Sequence, residues 1–306
     1  MSLQALELII PLFVLIATGY IFRKTRFVDN SFAGELNRVV FYVALPAMLF
    51  LETADLPELS TDIALTAVII PVAVIVTALV ALSVSSGLSP KQRGPFIQAT
   101  YRSNLAYLGL PIVSTLLGSE VLGIIAVAIA AGVIINSVTS IIVLRLFQHD
   151  SGRDSIVSRL SDVLRNPLIL SIIAGLAASA VSLPIPGILA DTLDLFARMS
   201  LPLILIVVGF RLSFRNLGSF FGTAFTAAFF KLMVMPALVW GMTTWLFPTG
   251  PLLTVTLVLL CTMPTAVVSQ TFAGAFDADE SLAAATVSMT TLLSGITIPL
   301  WALILL

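Results

Sequence analysis

Ten apolar runs, each close to the length needed to cross a lipid bilayer, follow one another along this chain of 306 residues. An α-helix needs about 20 apolar residues to span a hydrocarbon core of about 30 Å. Only 10% of the residues are charged, whereas soluble domains carry about a quarter. The sequence therefore predicts an all-α membrane protein with ten transmembrane helices. The predicted spans are residues 4–22, 36–51, 62–87, 95–118, 120–147, 166–184, 187–210, 223–247, 251–275 and 281–306.

Basic residues are concentrated in alternate loops between these runs. Of the 15 Lys and Arg residues, 12 fall in loops of one parity, and only Arg198 falls in a loop of the other. Because cytoplasmic loops are enriched in Lys and Arg, the basic loops are predicted to be cytoplasmic and both chain termini to lie outside. We therefore expect a multi-pass protein of the plasma membrane, which is the inner membrane in a bacterium. The basic loops are 23–38, 88–94, 145–165 and 211–217.

The composition limits the cofactors and partners of this chain. Its net charge is −1, so no nucleic acid partner is predicted. One cysteine, Cys261, and one histidine, His149, predict no metal centre and no cofactor. The sequence contains no G-x-x-x-x-G-K-[ST] motif, so ATP hydrolysis by this chain is not expected. The predicted partners are the lipid bilayer and a small solute.

Segments from the first half of the chain recur in the second half. The segment PLFVLIATG (Pro11–Gly19) matches PLILSIIAG (Pro167–Gly175), with proline and glycine at the same spacing. The segment ALPAMLF (Ala44–Phe50) matches SLPLILI (Ser200–Ile206). Both pairs have the same offset of 156 residues, which favours an internal repeat over chance similarity.

A third match extends the repeat into the later spans. GLPIVS, which begins at Gly109, matches TMPTAV, which begins at Thr262, with their prolines 153 residues apart. Each half holds five spans, so the second half would enter the membrane from the opposite side. The sequence therefore predicts two inverted five-helix repeats, residues 1–147 and 166–306, joined by a short cytoplasmic loop at 148–165.

The third match places one proline inside span four, Pro111, and one inside span nine, Pro264. Proline lacks an amide N–H and suits the first turn of a helix, so each is predicted to begin a half-helix near the bilayer centre. The N-terminus of a helix carries about half a positive charge and free N–H donors. Inverted repeats with interrupted helices are typical of secondary transporters, whose substrate site lies where the interruptions meet. We therefore predict a site for a small anion, most simply a carboxylate, between these crossover helices.

Polar and conformationally special residues near the two interruptions are the candidate ligands. The predicted substrate-binding set is Asn104, Tyr107, Gly109, Pro111, Pro264, Thr265, Ser269 and Gln270. Ionisable groups inside a membrane are often functional, so Arg102, Lys231 and the polar Asn136 are candidates for gating or coupling. The alternatives stay open: Arg102 and Lys231 could extend to the lipid headgroups, and Asn136 and Tyr107 could serve helix packing.

Four motifs carry a family resemblance that covers essentially the whole chain. They are the pattern N-x-x-x-x-G-x-P at Asn104, Gly109 and Pro111, and the segments LNRVVFYVALPAMLF (Leu36–Phe50), KLMVMPA (Lys231–Ala237) and MPTAVVSQTFAGAF (Met263–Phe276). These motifs resemble the auxin efflux carrier family, which includes plant auxin carriers and bacterial carriers for malonate and malate. The short loop at 148–165 is similar to the bacterial type rather than to plant members with a long loop.

The resemblance implies a scaffold of spans 1, 2, 6 and 7 and a mobile transport domain of spans 3–5 and 8–10. It also implies elevator-type transport, with Asn104 contacting the substrate where spans four and nine cross. The expected function is a secondary transporter of small organic anions, by uniport or coupled to protons or sodium.

Other functions remain as alternatives. A sodium-coupled organic-anion symporter of the bile-acid type also has two crossed broken helices, and a receptor without transport stays open. An enzyme is not expected, because His149 lies in a loop and Asp191 and Asp194 lie at the outer start of span seven. A homodimer also remains open, since Gly218 and Gly222 form a small-xxx-small pair.

Overall fold

The computed structural model describes residues 2–55, 61–147, 165–212, 214 and 217–306. Within these ranges every regular element is helical, and each of the ten predicted apolar runs is mostly helical, with a break inside the fourth and the ninth. The prediction of an all-α fold is therefore confirmed for this part of the chain. Six of the described helices are long and apolar enough to cross a membrane, and three more are shorter apolar helices. The loop predicted at 148–165 lies outside the described residues, except for Arg165.

We number the α-helices in chain order. They are α1 (Ser2–Thr25), α2 (Asn30–Val39), α3 (Leu45–Ala54), α4 (Thr61–Val84), α5 (Pro90–Tyr101), α6 (Leu110–Leu117), α7 (Leu122–Leu146), α8 (Pro167–Ala180), α9 (Gly187–Arg211), α10 (Phe221–Phe229), α11 (Met235–Gly241), α12 (Pro251–Thr262), α13 (Val268–Ala275) and α14 (Glu280–Leu305). π-helical turns cover Val40–Ala44, Leu105–Gly109, Phe230–Val234 and Met242–Leu246, and 3₁₀ turns cover Ser85–Gly87 and Ser119–Val121.

Apolar side chains cover the outside of the helices as well as the interior. In α4, Ile69, Ile70 and Ala73 are buried, while Val68 and Leu79 are exposed. A soluble protein rarely exposes large contiguous apolar surfaces. The same arrangement is favourable where the outer face contacts lipid.

Three prolines in the middle of helical runs are accommodated by π turns. A proline removes one backbone hydrogen bond and its ring clashes with the carbonyl four residues before it. In each case the turn before the proline widens, so that an amide bonds the carbonyl five residues back, as from Leu110 to Leu105. The helix continues through the proline instead of breaking. The turns and their prolines are Val40–Ala44 with Pro46, Leu105–Gly109 with Pro111, and Phe230–Val234 with Pro236.

Two helical runs do break, and they break beside each other. α5 ends at Tyr101 and helix resumes at Leu105, while α12 ends at Thr262 and helix resumes at Val268. Ser103 and Thr265 form an antiparallel bridge between the two gaps. On either side of this bridge, the amide of Asn104 donates to the carbonyl of Pro264 at 2.9 Å, and the amide of Ala266 donates to the carbonyl of Arg102 at 2.9 Å. Each gap therefore satisfies backbone groups of the other, as an apolar environment requires.

The first break does not lie where the sequence predicts it. Pro111 lies near the start of α6, after the π turn Leu105–Gly109, in continuous helix. The gap ends at Asn104, seven residues earlier. The prediction that a half-helix begins near Pro111 is therefore wrong, because a π turn absorbs the proline. Pro264, by contrast, lies inside the second gap.

The helix boundaries also correct the third sequence match, which paired Pro111 with Pro264. α5 and α12 each have 12 residues and begin at Pro90 and Pro251, 161 residues apart. The helical runs that follow the broken ones begin at Ser119 and Glu280, with the same spacing. The predicted offset of 153 residues, which paired Pro111 with Pro264, is therefore wrong.

Helices that contain the segments matched at an offset of 156 residues pack along one another. α1 packs along α9, and α3 packs along α8. A Cβ at Gly19 would lie 2.8 Å from the carbonyl carbon of Ile206, and a Cβ at Gly175 would lie 2.6 Å from the carbonyl oxygen of Phe50. Gly19 and Gly175 are 156 residues apart, and so are Phe50 and Ile206. The two contacts are thus equivalent under the offset read from the sequence.

Candidate functional site

A cavity of about 550 Å³ lies beside the two helix breaks. One wall is formed by the first break, by α7 and by the chain from the second break into α13, and the other by α2 with its π turn, α8 and the end of α9. Its polar lining residues are Asn37, Arg102, Ser103, Asn104, Tyr107, Asn136, Ser137, Asn166, Arg211 and Thr271. Its apolar lining residues are Phe41, Leu105, Ala106, Val133, Ile141, Leu168, Ala266, Val267, Val268, Phe272 and Ala275.

The charges that line this cavity have one sign. Arg102 and Arg211 are the basic members, and none of the described lining residues is Asp or Glu. Four of the polar members are asparagines, whose amide N–H groups can donate to an anion. The cavity is therefore suited to a negatively charged solute with an apolar part.

Arg102 is held in place by neutral groups. Its side chain is buried, and its Nη1 donates to Ser140 Oγ at 2.7 Å. Its Cζ lies 4.2 Å from the ring centroid of Phe272, a favourable cation–π arrangement. The ion pairs of the described residues do not include Arg102. Its positive charge is therefore available to a ligand in the cavity.

A network behind Arg102 fixes its orientation. The orientation of the Gln98 side-chain amide follows from its hydrogen-bond partners. Its Oε1 accepts from Ser140 Oγ at 2.9 Å and from Arg102 Nη1 at 3.3 Å, and its Nε2 donates to the carbonyl of Ser269 at 3.0 Å. The Tyr101 hydroxyl lies 3.0 Å from Ser140 Oγ. This network links α5, α7 and α13, so the guanidinium depends on the packing of three helices.

Asn104 combines a structural backbone with a side chain that is free to bind. Its amide N–H pairs with Pro264, and its carbonyl accepts from Leu108 and Gly109. Its side chain is buried, and among the described residues it makes no hydrogen bond, including no capping bond to the helix that follows. A buried amide without a partner is costly, so the side chain is suited to contact a ligand or water in the cavity.

Backbone amides also face this region. The first amides of a helix have no partner within it. After the first break, the first helical bond is donated by Leu108, so Leu105, Ala106 and Tyr107 precede it. The helical run from Leu105 to Leu117 is long enough to carry a dipole whose positive end lies at the cavity.

Tyr107 connects the two walls of the cavity. Its hydroxyl donates to Asn37 Oδ1 at 2.9 Å, which joins the π turn Leu105–Gly109 to α2. The cavity also reaches Asn166, which caps α8, and Arg211, which ends α9 and is exposed. Asn37, Asn166 and Arg211 all lie in or beside loops that the sequence predicts to be cytoplasmic.

Four of the residues predicted from the sequence line this cavity: Asn104, Tyr107, Arg102 and Asn136. Asn136 contributes a buried Oδ1 that has no partner among the described residues. The alternative that Arg102 extends to the headgroups is not found, since its guanidinium points into the network with Ser140.

The other predicted residues lie close by but do not line the cavity. Thr265 is buried and donates its hydroxyl to the carbonyl of Ala99 at 2.8 Å. Ser269 is buried, with its hydroxyl unpartnered among the described residues, and Gln270 is partly buried in α13. A Cβ at Gly109 would lie 3.0 Å from Leu260 Cδ2, so this glycine lets the two broken helices approach. Pro111 and Pro264 shape the backbone, as described above.

Lys231 lies in the protein interior and does not line the cavity. Its side chain is completely buried. Its Nζ donates to the carbonyl of Cys261 at 2.6 Å and lies 3.5 Å from Met235 Sδ. The alternative that Lys231 extends to the membrane surface is therefore wrong, because its side chain is completely buried and bonds a carbonyl in the last turn of α12.

Several residues of the cavity are absent from the predicted site. Asn37, Asn166, Arg211 and Phe272 come from helices distant in sequence from Asn104. Asn37 lies in the segment LNRVVFYVALPAMLF, which carries part of the family resemblance, and this was the available signal. Among the described residues, no three His, Cys, Asp or Glu side chains form a group that could hold a metal ion.

Comparison with known proteins gives consistent matches over the full length. A family model described as a membrane transport protein matches residues 4–302. An uncharacterized transporter of Methanothermobacter thermautotrophicus is 29% identical over 310 residues, which cover 98% of each chain. An uncharacterized transporter of Methanocaldococcus jannaschii is 26% identical over 314 residues, which cover 98% of this chain and 99% of the relative. Both relatives come from archaea.

Proposed function

We infer, from the premise that this chain belongs to the membrane transport protein family, the auxin efflux carrier family, that it is a secondary transporter of small organic anions. The family and its relatives indicate a multi-pass membrane transporter rather than an enzyme. The substrate class is our proposal, and carboxylates fit it best. The observation that carries it is the cavity lined by Arg102 and Arg211 and, among its described lining residues, by no acidic side chain.

The lining of the cavity favours a carboxylate over a cation or a neutral solute. An arginine without a carboxylate partner attracts an anion and repels a cation, most strongly where water is scarce. Arginine also offers paired N–H donors that match the two oxygens of a carboxylate. The amides of Asn104 and Asn136 add neutral hydrogen bonds, and Phe272 and Val133 provide apolar surface. A volume of about 550 Å³ is in the range of sites for small molecules.

The proposed transport mechanism is elevator-type alternating access. The spans proposed as scaffold supply Asn37, Asn166 and Arg211, and the spans proposed as mobile supply Arg102 and Asn104, so the cavity lies between the two groups. Sliding one group past the other would carry a solute at the breaks across the membrane. In the topology predicted from the loop charges, both termini lie outside and the cavity faces the cytoplasm. We take this arrangement as the inward-facing state of a plasma membrane carrier.

Uptake by proteoliposomes tests the function directly. The panel consists of labelled malonate, malate, a short monocarboxylate and an aromatic acid, and each is measured under imposed voltage, proton and sodium gradients. We expect saturable uptake of at least one acid, reduced about tenfold or more in Asn104→Ala, as the loss of a buried hydrogen bond to a charged group would produce. Ser114→Ala is the matched control, since among the described residues this hydroxyl bonds only carbonyls of its own helical run. Absence of uptake for every acid, or equal uptake by wild type and Asn104→Ala, would contradict the proposal.

A further inference from the structure

The cavity wall that belongs to the proposed scaffold carries its own polar side chains. Asn37 lies in α2, Asn166 caps α8 and Arg211 ends α9, and all three line the cavity. α9 packs on α2, and α8 packs on the π turn that continues α2. Helices distant in sequence therefore bring two amides and a guanidinium to one wall, opposite the wall that holds Arg102 and Asn104.

The hydrogen bond of Asn166 determines which end of its side-chain amide stays free. Its Oδ1 accepts from the backbone amide of Leu168 at 2.9 Å, which caps α8. A backbone N–H is only a donor, so the side-chain atom that faces it is the oxygen. The Nδ2 of Asn166 and its N–H donors have no partner among the described residues. These donors are therefore available to a ligand in the cavity.

Asn37 is oriented in the same way by a different donor. The Tyr107 hydroxyl donates to Asn37 Oδ1 at 2.9 Å, so this amide oxygen is also engaged. The Nδ2 of Asn37 keeps its donors, since no partner for it is found among the described residues. An N–H group attracts the oxygen of an anion, whereas a carbonyl oxygen repels it. The two scaffold asparagines therefore offer donors rather than acceptors to a ligand.

Arg211 supplies the positive charge of this wall. Its side chain is exposed, and the ion pairs of the described residues do not include it. None of the described lining residues of the cavity is Asp or Glu. The guanidinium presents paired N–H donors that match the two oxygens of a carboxylate. A carboxylate at this wall would thus meet a positive charge for which no lining side chain competes.

We propose that Asn37, Asn166 and Arg211 form a second anion subsite, which binds a carboxylate group on the scaffold wall. This inference rests on the proposed function, because it takes an organic anion as the ligand of the cavity. The carboxylate is either the far end of a dicarboxylic acid or a separate monocarboxylate ion. In the proposed elevator the scaffold stays in place, so this subsite acts when the solute is captured from the cytoplasmic side and not while it crosses.

Replacement of asparagine by aspartate tests the subsite and keeps the observed hydrogen bonds. Asn166→Asp retains an oxygen that caps α8, because aspartate and asparagine cap helices about equally well. Asn37→Asp retains an oxygen that accepts from Tyr107. Each change replaces the free N–H donors by a negatively charged oxygen. A purely structural role for these asparagines therefore predicts no loss of ligand affinity, whereas the subsite predicts a large one.

Binding is measured without transport. Each variant is purified in detergent, thermal unfolding gives its Tm, and isothermal titration calorimetry with malonate and with acetate gives Kd and stoichiometry. Arg211→Gln removes the charge of the wall, and Arg198→Gln is its control, because Arg198 is exposed and pairs with Asp194. Ser31→Asp is the control for the added negative charge, since Ser31 is an exposed residue in the first turn of α2 that does not line the cavity.

We expect the Kd for malonate to rise about tenfold or more in Asn37→Asp, Asn166→Asp and Arg211→Gln, because each loses a hydrogen bond to a charged group. The Tm of the aspartate variants and the Kd of both controls should equal those of the wild type. A malonate Kd that stays at the wild-type value in both aspartate variants would overturn the inference, and so would a wild type that binds neither acid.

The acetate titration distinguishes the two sources of the carboxylate. If the subsite holds the far end of one solute, the wild type binds a single acetate, and Asn166→Asp binds it with the same Kd. If the subsite holds a separate ion, the wild type binds two acetate ions and Asn166→Asp binds one. Asn166→Ser, which caps α8 through its hydroxyl, takes the place of an aspartate variant that is not recovered in folded form.

Calorimetry and uptake together keep the two proposals apart. If the wild type moves no organic acid in proteoliposomes but the aspartate variants bind malonate more weakly, the proposed function fails and the subsite stands. If Asn104→Ala abolishes uptake while Asn37→Asp and Asn166→Asp bind malonate as the wild type does, the subsite fails and the proposed function stands.

Discussion

Arg102 is the residue in which the site and the fold depend most directly on each other. Its carbonyl accepts from Ala266 across the two breaks, while its guanidinium bonds Ser140 and covers Phe272. The backbone and the side chain of one residue therefore join three separate segments. A change at this position is expected to affect substrate affinity through the side chain and to leave the backbone pairing in place.

We predict that Arg102→Gln raises KM for the transported acid by about tenfold or more, because a hydrogen bond to a charged group contributes about 1.5–3 kcal/mol. Arg102→Lys should give an intermediate KM, since lysine keeps the charge but not the forked donors. Concentration-dependent uptake by proteoliposomes measures both. Arg198→Gln is the control, because Arg198 is exposed and pairs with Asp194. An unchanged KM in Arg102→Gln would exclude the guanidinium from the site.

At the scale of residues, the sequence shows which polar groups are unusual but not where they point. Arg102 and Asn104 stand out as polar groups in an apolar run, and both line the cavity. Lys231 stands out equally, but its partner is a backbone carbonyl, and every residue has one. The sequence carries no signal that selects Cys261. Arg211 and Asn166 likewise carry no signal in the sequence, because they reach the cavity only through the packing of distant helices.

At the scale of elements, three glycines determine how closely neighbouring helices pack. A Cβ at Gly19 or Gly209 would meet the backbone of the opposite helix, at Ile206 or Ile16, and a Cβ at Gly175 would meet Phe50 and Thr53. Backbone atoms cannot rotate away as a side chain can. Close approach through small residues is the usual way in which helices associate within membranes.

We predict that Gly19→Ala, Gly175→Ala and Gly209→Ala each lower the Tm of the purified protein, with a cost of about 1–3 kcal/mol as expected for overpacking. Gly34→Ala is the matched control, because this helical glycine has open space at its Cβ position. It should leave the Tm unchanged or raise it, since alanine favours helix over glycine. Thermal unfolding followed by tryptophan fluorescence measures all four. A Tm of Gly175→Ala equal to that of Gly34→Ala would contradict the contact with Phe50.

The sequence predicts the helices better than it predicts their interruptions. Each of the ten apolar runs is mostly helical, because length and hydropathy determine this directly. Pro111 looks like a helix breaker, yet a π turn absorbs it and the break occurs at Arg102–Asn104. A proline shows that one helical hydrogen bond is missing, but not whether the helix widens into a π turn or breaks. A break needs another segment to pair with its free backbone groups, and here that segment is the second break.

At the scale of the whole molecule, the hydrogen bond between Tyr107 and Asn37 joins the proposed mobile part to the proposed scaffold. The ion pair between Lys91 and Asp277, at 2.8 Å, instead joins the first turn of α5 to the loop before α14, both in the proposed mobile part. These two contacts are similar in length but differ in which bodies they connect. They therefore provide a test of relative movement.

We predict that cross-linking Asn37→Cys to Tyr107→Cys with a short thiol reagent abolishes uptake, and that reduction restores it, because an elevator cannot slide while its parts are joined. Cross-linking Lys91→Cys to Asp277→Cys should leave uptake within about twofold of the uncross-linked protein, a change of less than about 0.5 kcal/mol in the barrier. Both pairs are introduced with Cys261→Ala. Uptake that survives the first cross-link, or is lost with the second, would contradict the proposed division into scaffold and mobile part.

The two buried basic residues, Arg102 and Lys231, have a consequence for the direction of transport. Arg102 and Lys231 are part of the chain, so any charge they carry across returns with them in each cycle. The net charge left on the other side is then that of the solute and of any ion that moves with it. A membrane potential of 100 mV, negative inside, is worth about 2.3 kcal/mol for each charge moved, which corresponds to a concentration ratio of roughly fiftyfold. If no other ion moves with the solute, the resting voltage alone would drive the export of a monovalent anion from the cell.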